Sequence, residues 1–378
     1  MEVVLLGTGG AAGCPRPTCA CPTCSALRQR GAWHGPTAVL VDGALLLGGG
    51  PHVVAAAARA GRSLAGLGRV VALPGTAGAP APVAPVPPHA LRQPAPGVVD
   101  VRGPDGDRLL LAAAPLGPPV LDATAGAAYD VVVLALPLAA AVPALAALRA
   151  SGAAAPRTRV VLAGLDHDAP PPDELARRAR AWGVQVGEDG LVVGGPAAPP
   201  RPHRVLVLGG ARSGKSLEAE RRLGAEPRVR YVATAPDRPG DAEWAERVAA
   251  HRARRPPGWR TTETSDVAGA LAVPGPPLLV DCLGLWLTGV VDGAGPGAWD
   301  GDPAARERVR RRVDELVTAW SGAAAPVVAV SNEVGSGVVP ATASGRLFRD
   351  ELGRLNALVA AASDEVLLVV AGQALRLR

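Results

Sequence analysis

An eight-residue glycine-rich segment at residues 209–216 reads GGARSGKS and contains the single lysine of a chain that has 38 arginines. It follows an apolar stretch that predicts a buried strand at 204–208, and it precedes a helical pattern. In this setting backbone N–H groups wrap phosphate oxygens, the lysine reaches the terminal phosphates and the serine binds Mg²⁺. The segment therefore predicts a phosphate-binding loop whose nucleotide-binding residues are Gly209, Gly210, Ala211, Arg212, Ser213, Gly214, Lys215 and Ser216.

The composition excludes several other classes of protein. The chain has 378 residues, 48% of them hydrophobic, and a net charge of +5, which excludes general disorder and indicates two domains. No aromatic-interleaved basic stretch is present, so we expect no nucleic-acid partner. The uncharged run at 131–148 is interrupted by two prolines and predicts a strand and a helix rather than a membrane span. With no basic leader segment either, we expect a cytoplasmic protein.

A Pro/Ala-rich linker at 196–203 divides the chain into a first domain at 1–195 and a second at 204–378. In the second domain, alternating strands and helices predict an α/β fold with a parallel sheet and helices on both faces. The first domain predicts mixed α/β structure. The second-domain strands are expected at 204–208, 229–233, 277–281, 326–330 and 365–370, and the helices near 215–223, 241–254, 303–320 and 345–362.

Two further positions carry chemistry. Asp281 ends an apolar strand, where it is expected to join Ser216 in binding Mg²⁺. His251 lies near the end of a helical pattern, beside Arg252, Arg254 and Arg255. Such surroundings hold phosphates and favour the neutral, nucleophilic imidazole, although spacing alone leaves a solvated surface histidine as an alternative.

A series of motifs in this order gives a specific resemblance. The motifs are residues 209–216, 231–235 (YVATA), 247–251, 255–259, Glu263, 280–288 (VDCLGLWLT), 331–340 (SNEVGSGVVP) and 346–356. Together they closely resemble the bifunctional adenosylcobinamide kinase / adenosylcobinamide-phosphate guanylyltransferase family of cobalamin biosynthesis. The resemblance covers 204–378 and implies a P-loop NTPase (RecA-like) fold.

The resemblance also implies a reaction and a site. ATP or GTP phosphorylates adenosylcobinamide, and GMP then passes from GTP to adenosylcobinamide phosphate through a guanylyl-histidine, which gives adenosylcobinamide-GDP and diphosphate. His251 and Lys215 would be catalytic, Asn332 and Glu333 would bind the substrate, and a homo-oligomer, a trimer, is expected. Further nucleotide-binding residues would be Ala233, Thr234, Ala235, Arg252, Ala253, Arg254, Arg255, Glu263 and Asp281.

The first domain resembles the metallo-β-lactamase-fold hydrolases of the phosphodiesterase type, through residues 6–13 (LGTGGAAG), 15–24, 160–168 and 182–190. The resemblance implies an αββα sandwich. The His-x-His-x-Asp-His cluster of active members is missing, so we expect a degenerate domain without hydrolase activity. Cys19, Cys21, Cys24 and His167 supply a closed tetrahedral set for a structural Zn²⁺, with idle thiols as the alternative.

Two other functions stay open at this point. One is a P-loop small-molecule kinase without guanylyl transfer, and the other is a nucleotide-responsive binding module. The kinase alone would form no covalent GMP on His251, whereas the bifunctional enzyme would. The binding module would not turn over adenosylcobinamide.

Overall fold

The computed structural model describes residues 1–74, 89–193, 203–235, 246, 249, 253 and 255–378. The chain divides into two compact units, Met1–Arg201 and Pro202–Arg378. Of the predicted linker, His203 alone belongs to the described residues. No helix in the described part of the chain is long and apolar enough to cross a membrane.

The first unit contains two sheets, in the orders β11-β1-β2-β3-β4 and β10-β9-β8-β7-β6-β5. Their facing sides share one buried cluster, to which Leu5 and Val39 contribute from one sheet and Val99 and Val133 from the other. Helix α2 covers the outer side of the first sheet. The strands are β1 (Val3–Gly7), β2 (Ala38–Val41), β3 (Leu45–Gly48), β4 (Arg69–Val71), β5 (Ala90–Ala95), β6 (Val98–Arg102), β7 (Arg108–Ala112), β8 (Val131–Ala135), β9 (Arg159–Ala163), β10 (Gln185–Val186) and β11 (Val192–Val193); the helices are α1 (Pro22–Gln29), α2 (Val53–Arg59), α3 (Pro118–Thr124), α4 (Leu138–Ala150) and α5 (Pro172–Trp182).

The second unit is built on one sheet, which in the described residues has the order β14-β13-β15-β16-β12-β17-β18. All neighbours are parallel except the antiparallel pair β17 and β18. The strands are β12 (Arg204–Gly209), β13 (Val229–Ala233), β14 (Trp259–Glu263), β15 (Leu278–Asp281), β16 (Val327–Asn332), β17 (Glu365–Val370) and β18 (Gln373–Arg376); the helices are α6 (Lys215–Leu223), α7 (Val267–Ala272), α8 (Leu283–Gly293), α9 (Pro303–Ser321) and α10 (Ala343–Ala361), with a 3₁₀ turn at Ala298–Asp300.

The side chains of the inner strand β12 alternate between two buried clusters of this unit. Leu206 and Leu208 face a cluster completed by α7 to α10, whereas Val205 and Val207 face a second cluster that includes Ala219 and other residues of α6. Because successive side chains of a strand point to opposite faces, one apolar strand can bury residues against helices on both sides. The predicted parallel sheet with helices on both faces is confirmed for this unit.

The sequence prediction missed four elements of the second unit: β14, β18, α7 and α8. Strand β14 (WRTTE) is mostly exposed at the sheet edge and carries no apolar alternation. Helix α8 begins two residues after β15 ends, so its apolar residues continue the apolar run of the strand. Most of the helix predicted at 241–254 lies outside the described residues, of which Glu246, Ala249 and Ala253 are helical.

Candidate nucleotide-binding site

The glycine-rich loop connects β12 to α6, and its geometry requires glycine at both ends. Gly209 ends β12, where an added Cβ would lie 2.6 Å from the carbonyl oxygen of Val369. Gly214 precedes α6 with a φ of +96°, in the left-handed region that favours glycine. The loop therefore turns sharply while its backbone stays open to a ligand.

Hydrogen-bond donors line this loop. Lys215 is buried at the start of α6, and its Nζ donates to the carbonyl oxygen of Gly210 at 3.1 Å. The Ser213 hydroxyl is buried and has no hydrogen-bond partner. Because a buried hydroxyl without a partner is costly, and the helix N-terminus favours anions, the loop is suited to phosphate oxygens.

Strand register places other predicted site residues at the same edge of the sheet. Ala233, at the end of β13, is paired with Glu263 on one side and Asp281 on the other. Gly209 is paired with Asn332 of β16 in the same way. The carboxyl ends of parallel strands are where ligands bind in open α/β sheets, so this edge is the candidate nucleotide site.

Asp281 is oriented by Tyr231, the first residue of the motif at 231–235, to which the sequence assigned no role. The hydroxyl of Tyr231 donates to Asp281 Oδ2 at 2.7 Å, and the guanidinium carbon of Arg255 lies 3.4 Å from the centre of the Tyr231 ring. Burial, reinforced by the Asp281 carboxylate, raises the pKa of Tyr231, so the phenol stays protonated and keeps its donor role. Arg255 also donates from Nη1 to Thr261 Oγ1 at 2.8 Å, so its position is fixed by two partners.

Thr234 and Cys282 join the ends of β13 and β15. The Thr234 hydroxyl donates to the carbonyl oxygen of Cys282 at 2.7 Å and accepts from the backbone N–H of Cys282 at 2.9 Å. Its hydroxyl therefore braces the sheet edge at the position where the nucleotide-binding residue Thr234 was predicted. Burial raises the pKa of the Cys282 thiol to about 11, which keeps it neutral.

Asn332 and Glu333 follow β16 and are held by their neighbours. The backbone N–H of Glu333 donates to the Gly209 carbonyl oxygen at 3.1 Å, and Glu333 Oε1 accepts from the Gly335 N–H at 2.7 Å. Asn356 of α10 is buried, donates to the Asn332 carbonyl oxygen at 2.9 Å and accepts from the Ser331 hydroxyl at 2.6 Å. Asn356 thus positions the segment that carries the two predicted substrate residues.

The structure describes four of the remaining predicted site residues, and three others lie outside the described residues. Ala235 ends the described segment that follows β13, and Ala253 is exposed and helical. Ser216 is half-buried in the first turn of α6, and Glu263 is exposed at the end of β14. His251, Arg252 and Arg254 lie outside the described residues.

Comparisons with known proteins cover this unit. A family profile described as cobinamide kinase / cobinamide phosphate guanyltransferase matches residues 205–377. The bifunctional adenosylcobalamin biosynthesis protein CobU of Salmonella typhimurium is 39% identical over an alignment of 188 residues that covers 46% of this chain and 99% of that protein. The chain belongs to this family.

Two more members of the cobinamide kinase / guanyltransferase family give the same result. CobU of Escherichia coli is 37% identical, over 46% of this chain and 99% of that protein, and CobP of Pseudomonas aeruginosa is 43% identical, over 45% and 94%. A solved structure, the P4 protein of bacteriophage phi6 in complex with ADP, is 18% identical over 48% of this chain and 57% of that one, with a TM-score of 0.24, which is too low to support an inference. The family match therefore accounts for the second unit.

The first unit, which the family match does not cover, contains a group of cysteines close to a histidine. The ligand atoms of Cys19, Cys21 and His167 lie within 4.8 Å of one another, with Cys19 Sγ 3.7 Å from His167 Nδ1. Cys24, the fourth predicted ligand, is buried, and its Sγ lies 3.9 Å from that of Cys14. The structure thus brings three of the four predicted ligands into one group and places the Cys24 thiol beside Cys14.

The thiols of this cluster differ in acidity. The backbone N–H of Cys24 donates to Cys21 Sγ at 3.4 Å and is the main cause of a lowered pKa for Cys21. Burial, together with the neighbouring Cys24 thiol, raises the pKa of Cys14 to about 12. Cys21 is therefore the better placed of the two to act as a thiolate ligand, the form that binds metal.

Proposed function

We propose that the second unit phosphorylates adenosylcobinamide and then transfers GMP from GTP to the resulting adenosylcobinamide phosphate through a guanylylated His251. The observation that carries the proposal is the glycine-rich loop, with Lys215 and the unpartnered Ser213 hydroxyl, at the same sheet edge as Asp281. The family match over residues 205–377 supplies the substrate class.

In the kinase step the chain has to position phosphates and neutralise charge more than it has to supply covalent chemistry. Lys215 and the N–H groups of the loop hold the terminal phosphates of ATP or GTP. The hydroxyl of Ser216 and the carboxylate of Asp281 are hard oxygen ligands that fit Mg²⁺, which would offset the charge of the transferred phosphoryl group. Tyr231 keeps the Asp281 carboxylate oriented.

In the transferase step an imidazole nitrogen of His251 attacks the α-phosphorus of GTP. The bond from this phosphorus to the bridging oxygen breaks, and diphosphate leaves with the electron pair. A phosphate oxygen of adenosylcobinamide phosphate then attacks the same phosphorus, which breaks the P–N bond and frees the imidazole. Arg252 and Arg254 neutralise the phosphates, and Asn332 and Glu333 line the acceptor side.

The test is covalent labelling with GTP that carries its label in the α-phosphate. We expect an acid-labile label on the wild type, discharged by adenosylcobinamide phosphate, and no label on His251→Ala. His203→Ala is the matched control, because His203 is the other histidine of the second unit and its ring contacts the Ala323 carbonyl oxygen. This control should be labelled like the wild type.

Each other outcome would indicate a different function or a different nucleophile. Mg²⁺-GTP binding and turnover of adenosylcobinamide without label would indicate a kinase that lacks guanylyl transfer. Nucleotide binding with neither label nor turnover would indicate a binding module. Label on His251→Ala would assign the nucleophile to another residue.

For the rest of the chain we propose a degenerate metallo-β-lactamase-like sandwich in the first unit, without hydrolase activity, and a P-loop NTPase (RecA-like) class for the second. The cluster of Cys19, Cys21 and His167 supports a structural Zn²⁺ in the first unit, with Cys24 as the fourth ligand. The resemblance further supports a homo-oligomer, a trimer. The composition supports a cytoplasmic protein with no nucleic-acid partner. Sedimentation equilibrium measures the assembly directly.

A further inference from the structure

A charged cavity of about 410 Å³ lies in the second unit between the first turns of α9, the first turns of α10 and the 3₁₀ turn before α9. Four arginines and three carboxylates line it, together with the apolar side chains of Trp299 and Leu347. None of the roles assigned above uses this cavity. The side chains that carry the argument are Arg306, Arg310, Arg346 and Glu351.

The charged groups of this cavity have unused hydrogen-bonding capacity. Glu351 is only 8% exposed, and its Oε2 is buried without a hydrogen-bond partner. The Nε atoms of Arg306 and Arg310 are also buried without a partner. Leaving a buried carboxylate and buried guanidinium N–H groups unmatched is costly, so the cavity is suited to a ligand that satisfies both kinds of group.

This combination restricts the chemistry of the ligand. A fully ionised phosphate group satisfies the guanidinium groups but offers Glu351 no donor, and an ammonium group does the reverse. A primary carboxamide does both, because its carbonyl accepts from arginine and its NH₂ donates to a carboxylate. Trp299 and Leu347 give the carbon skeleton of such a ligand an apolar wall.

The cavity is linked to the candidate nucleotide site through the segment between β16 and α10. That segment begins where the Glu333 N–H donates to the Gly209 carbonyl oxygen. It ends where Arg346, which lines the cavity, donates from Nη1 to the carbonyl oxygens of Pro340 and Ala341 at 3.0 and 2.7 Å. Between these points Val338 and Val339 are 94% and 62% exposed, an apolar surface without cover within the described unit.

We propose that this cavity binds side-chain carboxamides of the corrinoid substrate, with Glu351 accepting from an amide NH₂ and Arg306 and Arg310 donating to an amide carbonyl. The proposal rests on the proposed function, because cobinamide is a corrin ring that carries acetamide and propionamide arms. Val338 and Val339 then contact the apolar ring while its amide-bearing edge enters the cavity.

The experiment compares Glu351→Gln and Arg310→Met with the control Arg312→Met in the full chain. Arg312 lies on the same helix but is exposed and pairs with Glu315 at 2.7 Å, so its removal changes the charge without touching the cavity. Losing one hydrogen bond to a charged group should raise KM and Kd for adenosylcobinamide about 10- to 100-fold. Labelling of His251 by GTP, which needs no corrinoid, should be unchanged in all three variants.

A second comparison uses the ligand. A cobinamide derivative whose carboxamides are hydrolysed to carboxylates should bind the wild type more weakly than cobinamide does, because Glu351 then faces a like charge. Glu351→Gln should recover part of that loss. A merely structural role for Glu351 would leave the preference between the two ligands unchanged.

Three results would overturn the proposal. One is an unchanged KM and Kd for adenosylcobinamide in both cavity variants. Another is the same preference for cobinamide over its hydrolysed derivative in the wild type and Glu351→Gln. The third is a change of sedimentation mass with no change of corrinoid affinity, which would identify the cavity as a contact between copies of the chain.

The test also separates this proposal from the proposed function. If the wild type takes no label from GTP, guanylyl transfer fails. Direct titration of cobinamide, followed by its absorbance, then still decides whether the cavity binds the corrinoid.

Discussion

Tyr231 shows how a residue outside the glycine-rich loop controls a predicted metal ligand. Its hydroxyl donates to Asp281, and Arg255 stacks on its ring. A donor of this kind fixes the orientation of the carboxylate that it contacts. Tyr231 lies on β13, which β15 and β16 separate from β12 and its loop, so it acts on the site through Asp281.

We expect Tyr231→Phe to raise the Mg²⁺ concentration for half-maximal kinase rate about 10- to 100-fold, because Asp281 loses its orienting donor. The rate at saturating Mg²⁺ should fall much less. The measurement is the kinase rate against Mg²⁺ concentration. Tyr129→Phe is a natural control, since Tyr129 is the chain's other tyrosine and belongs to the first unit. Equal Mg²⁺ dependence in the two variants would contradict the role of Tyr231.

The same residues show what the sequence can predict at this scale. Gly209, Lys215 and Ser216 form a contiguous motif, so their chemistry is readable from spacing. Tyr231 meets Asp281 through the pairing of β13 with β15, and Asn356 meets Asn332 through the packing of α10. Such contacts depend on strand order and helix packing, which no local spacing contains.

At the scale of elements, an ion pair fixes the starts of the neighbouring strands β12 and β17. Asp364 accepts from the backbone N–H groups of His203 and Arg204 at 3.0 and 2.8 Å, and Arg204 Nη2 donates to its other oxygen at 2.8 Å. The hydrogen bond from the Arg204 side chain is the main cause of a lowered pKa for Asp364, despite some opposing desolvation. The folded state therefore favours the ionised carboxylate.

A group whose pKa is lower in the folded state stabilises that state above its unfolded pKa, about 3.9 for aspartate, and loses this effect as the pH falls through the folded pKa. We therefore expect the wild type to lose stability below about pH 4 more steeply than Asp364→Asn. Urea unfolding at a series of pH values from neutral to acid measures this. Asp314→Asn removes the same charge from the exposed face of α9 and should keep the wild-type slope.

Elements of the second unit were predictable where burial is periodic. The strands β12, β13 and β17 and the helices α9 and α10 lie within two residues of their predicted bounds, because their apolar residues face a core. Strands β14 and β18 lie at or near the sheet edges and are mostly exposed, so their sequences lack that signal. Strands β5 to β7 of the first unit were not predicted either, since these three strands form two consecutive hairpins that the spacing did not reveal.

At the scale of the whole molecule, we expect the zinc to belong to the first unit and the reaction with GTP to belong to the second. We expect about one zinc per chain, since the three grouped ligands and Cys24 make a closed tetrahedral set. Cys19→Ser, Cys24→Ser and His167→Ala should each lose it, while Cys14→Ser and Cys282→Ser should retain it. Metal analysis of purified protein gives the content, and GTP labelling of His251 should survive in Cys19→Ser.

Two results would contradict this division. Zinc-free wild type from zinc-supplemented cells would leave the cysteines as idle thiols. Loss of zinc in Cys14→Ser but not in Cys24→Ser would identify Cys14, rather than Cys24, as the fourth ligand. The two buried sulfur atoms are in contact, so this pair of variants decides between them.

The support of the glycine-rich loop has a consequence for synthesis on the ribosome. Gly209 lies between β16 and β17, strands that enter the chain more than a hundred residues after the loop itself. A nascent chain that has emerged as far as α6 already carries the phosphate-binding motif, but no sheet yet holds it. Because both partners follow the loop in the chain, the sheet around Gly209 is complete only after Glu365–Val370 has been made. A growing chain therefore lacks this full support until almost all of the second unit exists.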